Sequence, residues 1–176
     1  MALGFAAEGL PVVVVHPAFM FGAWDTRPTS GKMILQVAAG QARLAPSGGN
    51  NFVDVGHAAR ATVAALERGS PGRRYILGGV NLSYLEAWTR IARVVGASPP
   101  WGEAPRSLAW VVGQAAGLWG RVTGNEPAVN PVSVGMGQLP HYFRSDRAEA
   151  ELGLQDTDFE GCVAEAWAWF RQQGMA

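Results

Sequence analysis

Leu10-Pro-Val-Val-Val-Val15 runs straight into His16-Pro17, and an unbroken β-branched run ended by proline reads as a strand buried on both faces. Strands of that kind belong inside parallel sheets. Unpaired backbone groups away from water each cost roughly 1–3 kcal/mol, so such a strand needs neighbours on both edges.

Downstream, Thr29 and Ser30 cap a helix over 31–39, and Arg43 to Ala45 reads as a short strand entering the Pro46-Ser-Gly-Gly49 turn. Asn51 to Val55 reads as its partner strand. Ala58 to Arg68 has helical periodicity, Arg73 to Leu77 is another strand, and Gly78-Gly79 permits a sharp exit. Ser83-x-x-Glu86 is a capping-box pattern opening a helix to Val95. A long helix is expected over Arg106–Val122, a short apolar piece over Val132–Leu139, and an extended Tyr142-Phe143. Asp146 caps a helix that Gly153 stops, and the chain closes with an amphipathic helix from Phe159 to Gln173. The alternation is α/β.

The 176 residues suffice for one domain, with 48% hydrophobic and 16% charged residues. Fourteen basic residues balance fourteen acidic ones, which leaves no electrostatic footprint for nucleic acid or an anionic membrane. No apolar stretch is long enough for a membrane span. The three histidines are scattered, so no metal-ligand spacing exists, and the single Cys162 cannot form an internal disulfide. A reducing, cytoplasmic setting fits this composition. Cys162, in an amphipathic helix, reads as a packing residue, and Trp110, Trp119, Trp167 and Trp169 read as buried helix packing.

His16-Pro-Ala-Phe-Met-Phe-Gly22, then Trp24-Asp-Thr-Arg-Pro-Thr-Ser30, Asn50-Asn-Phe-Val-Asp-Val55, Gly72-Arg-Arg-Tyr-Ile-Leu-Gly-Gly-Val-Asn-Leu82, Asp146-Arg-Ala-Glu-Ala-Glu-Leu-Gly153 and Trp167-x-Trp-Phe170 follow one another in an order and spacing that resembles extended short-chain dehydrogenases. Within them the sequence resembles the NAD-dependent epimerase/dehydratase family, especially dihydroflavonol-reductase-like proteins and hopanoid-associated sugar epimerases. The resemblance implies the C-terminal portion of a Rossmann-type doubly wound parallel sheet, interleaved with a mainly helical substrate-binding subdomain in a single truncated domain spanning 1–176. It also implies NAD or NADP as cofactor of the complete enzyme, and a sugar-like or other carbonyl small molecule as substrate.

Family chemistry uses a glycine-rich turn for the cofactor pyrophosphate and a Tyr-x-x-x-Lys pair for proton transfer. None of Tyr75, Tyr84 and Tyr142 has a lysine four residues on, and Lys32 is the only lysine. The resemblance places both features before Met1, so catalytic residues are expected to be absent and cofactor binding by this chain alone is doubtful. His16, Pro17 and Ala18 match the loop lying against the nicotinamide and are the expected cofactor contacts. Trp24, Arg27, Asn50 and Asn51 are the expected substrate contacts, with loop packing, a solvated charge and turn hydrogen bonding as their structural alternatives. Many sugar-nucleotide epimerases carry an arginine where Asn50 stands and an aspartate where His57 stands, which weakens a nucleotide-sugar assignment.

Two functions follow. One is a truncated NAD(P)-dependent epimerase/dehydratase or carbonyl reductase, inactive alone. The other is a noncatalytic interaction module joining a partner, an N-terminal half or a second copy in a homo-oligomer, through an exposed hydrophobic sheet edge.

Overall fold

A computed structural model describes residues 2–123 and 131–176. In chain order its elements are α1 (Ala2–Ala7), β1 (Val14–Pro17), β2 (Phe19–Phe21), α2 (Lys32–Ala38), β3 (Leu44–Ala45), β4 (Gly49–Asp54), α3 (Val55–Arg68), β5 (Arg74–Leu77), β6 (Val80–Ser83), α4 (Tyr84–Val95), β7 (Gly102–Glu103), α5 (Arg106–Thr123), α6 (Pro131–Gly137), β8 (Pro140–His141), α7 (Asp146–Leu152) and α8 (Phe159–Gln172). Two compact units share them: Met1–Leu35 with Asn51–Asn81 and Phe143–Ala176, and Gln36–Asn50 with Leu82–Tyr142.

In the first unit β1 pairs in parallel with β5, Val14 opposite Arg74 and Pro17 opposite Leu77. The valine run is not the strand the sequence predicts. Pairing starts only where Val14 N donates to Arg73 O, and it ends with Ala18 N donating to Leu77 O. Leu10 is exposed, Val14 and Val15 are half-buried, and His16 and Pro17 are exposed, so burial on both faces is incorrect. Because Val14 and Ala18 donate towards β5, the nitrogen of residue 17 faces the opposite edge, where a proline costs no ladder bond.

The core beneath this pair is built by small residues. Ala58, Ala61, Ala64 and Ala65 of α3 pack with Val53, Tyr75, Leu77, Ala148 and Leu152, the alanines letting the helix approach closely. The helix begins at Val55, three residues before its apolar periodicity, because Asp54 is its N-cap and accepts from His57 N at 2.9 Å. Tyr75, fully buried, spends its hydroxyl on Glu151 Oε2 at 2.5 Å while accepting from Ser70 N at 3.1 Å. A second cluster joins β2, β4 and α8: Phe21 stacks on Phe52, and Phe159 meets both at centroid distances of 5.8 and 5.2 Å. Of the stripe Val163, Ala166, Trp167 and Phe170 read from sequence, Val163, Ala166 and Phe170 are fully buried along α8, whereas Trp167 is only half-buried, which corrects its assignment to buried packing.

Two start signals shift. Ser145, not Asp146, occupies the N-cap position of α7, but its hydroxyl accepts from Gly78 N instead of capping; Asp146 lies in the first turn and pairs with Arg144 at 2.6 Å. Gly153 stops the helix in the left-handed conformation, as read from sequence.

In the second unit, β3 pairs in parallel with β7, Leu44 opposite Gly102. The sequence reading paired it with β4 across the Pro46 turn. That is incorrect: β4 is flanked by β2 and β6, and its Gly49-Asn50 end pairs with β8. The Val132–Leu139 segment is largely helical, as α6. Trp110 is 62% exposed, which corrects its assignment to buried packing; the side chain of Trp119 lies outside the described residues. Among the described residues no helix is long and apolar enough to cross a membrane.

The capping box of α4 is complete: Glu86 N donates to Ser83 Oγ at 3.1 Å and Ser83 N donates to Glu86 Oε2 at 3.0 Å. These bonds hold the Glu86 carboxyl below its ordinary pKa. Ser83→Ala is expected to cost about 1 kcal/mol, read as a midpoint lower by roughly 2–4 °C on thermal melting. Since the folded-state pKa is depressed, the Glu86 contribution is present at neutral pH and is lost as pH falls through the carboxylate range. The Ser83→Ala penalty therefore shrinks in acid.

Candidate functional site

Residues 16–31 run on from the C-terminal end of β1 (His16–Pro17), the end of a strand at which ligands bind in parallel sheets. Ala18 packs against the α3 core while His16 and Pro17 stay exposed. Beyond β2 the chain turns through Gly22-Ala-Trp-Asp25, and here one residue breaks a local rule. Trp24 has φ +74°, a conformation that costs a non-glycine residue about 1–3 kcal/mol, yet its side chain is 80% exposed.

The turn is held by Asp25, whose carboxylate accepts from Thr29 N at 3.0 Å and Gly31 N at 3.0 Å. A Cβ on Gly31 would run into the Phe170 ring and the Asp25 carboxylate, so the clasp requires glycine there. The Trp24 ring lies 6.4 Å from that of Trp169. Together Met20, Phe21, Trp24, Asp25, Thr29 and Ser30 border a shallow pocket of about 220 Å³. Arg27 is exposed on the same turn.

Asn50 and Asn51 separate because successive strand side chains point to opposite faces. Asn51 is fully buried: Nδ2 donates to Asn81 Oδ1 at 2.6 Å and Gly79 O at 3.1 Å, and Oδ1 accepts from Gly79 N at 2.8 Å. It was expected at the substrate. With no accessible surface and its amide spent on the chain, it is instead a clasp between β4 and the Gly78-Gly79 turn. Asn50 is half-buried and its Nδ2 donates to the Tyr84 hydroxyl at 3.4 Å. Burial pushes the Tyr84 phenol above its ordinary pKa, and the Asn50 bond acts in the opposite direction.

The glycine pairs do not form a phosphate cradle. A Cβ on Gly78 would lie 2.6 Å from both Asn51 Oδ1 and Ser145 Oγ, and one on Gly79 would strike Thr157 and Phe52 O. Gly48 and Gly49 are likewise closed off by the carbonyls of Gly137, Leu139 and Leu82. Their missing side chains are filled by the protein's own backbone and polar groups, so packing accounts for both glycine pairs.

Cys162 is buried at the first turn of α8, its thiol donating to Phe159 O, and burial followed by the charges of Asp54 and Asp158 pushes its pKa up to about 12. That environment suppresses the thiolate and makes a nucleophilic role untenable.

No family model matches the chain. A candidate dihydroflavonol 4-reductase from Synechocystis sp. is 31% identical over 182 residues, covering 98% of this chain and 52% of that protein. Sterol demethylase protein B from Methylococcus capsulatus is 32% identical over 178 residues, covering 97% of this chain and 53% of that protein. A solved nucleoside-diphosphate-sugar epimerase from Pseudomonas aeruginosa superposes with a TM-score of 0.80 at 30% identity, covering 99% of this chain and 52% of that one.

The chain belongs to the extended short-chain dehydrogenases/reductases. It matches a C-terminal part of them and spans about half the length of the curated relatives it matches. Its parallel pairings and covering helices are those of the Rossmann-type architecture of this superfamily. No sequence signal distinguished Asn51 from Asn50, and none announced the backbone conformation of Trp24.

Trp24→Gly is expected to raise stability by about 1 kcal/mol by removing the left-handed strain, read as a higher denaturant midpoint at unchanged slope. An unchanged or lowered midpoint would show that the Trp169 contact outweighs the strain. Cys162 is expected to stay unlabelled by a thiol reagent at pH 8 in the folded chain and to react stoichiometrically in denaturant.

Proposed function

We propose that this chain is the substrate-side part of an NAD(P)-dependent nucleoside-diphosphate-sugar epimerase/dehydratase or carbonyl reductase, inactive until an N-terminal half supplies the glycine-rich turn and the Tyr-x-x-x-Lys pair. The observation that carries this reading is β1. Among the described residues it is paired along one edge only, by β5, and it delivers His16, Pro17 and Ala18 at the C-terminal end of a parallel pair, whereas a parallel sheet is stable with strands on both sides and both faces covered.

In the assembled enzyme the His16–Ala18 backbone lies against the nicotinamide. Trp24 presents an apolar ring face to the substrate and Arg27 a planar cation for a carboxylate or phosphate; within the second unit Asn50 carries an amide. Asn51 positions these elements from beneath without touching ligand. The bound cofactor supplies hydride chemistry; this chain's residues bind and orient.

Isothermal calorimetry of the purified 176-residue chain with NADH and NADPH, alongside circular dichroism, tests the reading. A folded chain showing no binding heat at millimolar cofactor is expected. Micromolar binding would overturn it, because the chain would then contain a cradle of its own.

A further inference from the structure

We propose that the α5–α6 pair of the second unit is a docking surface for a phospholipid bilayer, lying on the membrane without crossing it. Val132, Met136 and Leu139 recur at i, i+4 and i+7 along α6 and its exit, and each is more than half exposed. Trp110 and Val111 of α5 are more than half exposed as well. Apolar residues scattered singly on a surface are ordinary, whereas a stripe on one helical face beside a second exposed pair marks an interaction site. Between the two helices runs a groove of about 380 Å³, bordered by the Trp110 ring and by the polar side chains of Arg106, Ser107, Gln114 and Gln138. Trp110 stands one helical turn from Arg106.

Charge and composition select the occupant. Over residues 106–142 the only Asp, Glu, Lys or Arg residues are Arg106, Arg121 and Glu126. The second unit holds five arginines and three glutamates, which leaves nine of the fourteen basic and eleven of the fourteen acidic residues to the first. The neutrality of the whole chain thus conceals a local positive excess, complementary to anionic headgroups. Aliphatic side chains with an indole and a guanidinium beside them suit a membrane interface. The aliphatic chains enter the acyl boundary, the indole sits at headgroup level, and Arg106 meets phosphate with its planar fork. The Gln114 and Gln138 amides and the Ser107 hydroxyl offer hydrogen bonds to headgroup oxygens. A protein partner fits less well, since a stable interface engages roughly 20–30 residues a side with matched shape. A fluid bilayer imposes no such match, and binding to it grows with the apolar area inserted.

All these residues belong to one unit, and the test needs no cofactor, so it is separate from that of the proposed function. The full 176-residue chain is floated with phosphatidylcholine vesicles, pure or carrying about 30% phosphatidylglycerol. The chain is expected to float with both and several-fold more with the anionic vesicles. Replacing the α6 stripe (Val132→Ser, Met136→Gln, Leu139→Gln) is expected to weaken partition by about tenfold or more at unchanged circular dichroism. Arg106→Gln is expected to weaken binding to the anionic vesicles about fivefold and to leave binding to pure phosphatidylcholine unchanged. Val63→Gln with Leu66→Gln, which removes the exposed apolar pair of α3 in the first unit, is expected to float like the wild-type chain. Absence of flotation with either vesicle overturns the proposal, as does undiminished flotation of the α6 variant or an equal loss in the α3 variant. A dimer in sedimentation that the α6 substitutions dissolve, without flotation, would overturn it in favour of a second copy of this chain.

Discussion

The buried amide of Asn51 is the constraint around which the first unit is arranged. One side chain, inaccessible to solvent, ties β4 to both backbone groups of Gly79 and to Asn81, and Asn81 in turn exchanges hydrogen bonds with the backbone of Phe143 at 3.0 and 3.1 Å. Three segments distant in sequence are thereby fixed to one another. Leaving such a group unpaired in the interior would cost more than the bonds contribute in net terms, so the network acts by excluding alternatives. It also explains Gly78: a side chain there would displace both Asn51 Oδ1 and Ser145 Oγ.

That rigid centre sets the ends of the strands, and the ends carry the candidate site. With β4 held, the phenylalanine cluster of β2, β4 and α8 fixes the exit of β2, and the Asp25 clasp then turns the chain so that Trp24 faces solvent. An exposed indole held in a strained backbone conformation is poorly explained by folding alone. The glycine pairs, by contrast, are explained entirely by packing. The end of β1 and the following loop, which presents the exposed Trp24 and Arg27, are the arrangement from which the proposed division of labour follows.

Legibility in the sequence tracked the distance over which each feature is decided. The Ser83/Glu86 box, the Gly153 stop and the α8 stripe depend on neighbours within one or two turns, and each is present as read, Trp167 of the stripe excepted. The valine run located a strand but not its register, because a uniform run has no period and the frame is set by Arg73 and Leu77 far downstream. The partner of β3 was misread for the same reason: a two-residue strand carries too little pattern to distinguish β4 from β7. Of the candidate site, the strand end and its following loop were legible through family resemblance. Asn51 was misplaced because the outward or inward sense of a strand residue depends on a register that the adjacent asparagines do not encode. Helical context alone likewise did not tell that Trp110 faces outward.

Native-state hydrogen exchange at the Gly79 amide tests the central claim most directly. If Asn51 is the clasp, that amide is protected to nearly the stability of the first unit in the wild-type chain, and Asn51→Ala releases it while the β1–β5 ladder amides of Val14 and Ala18 remain the slower set. Wild-type exchange at Gly79 as fast as in an open surface turn would contradict the account.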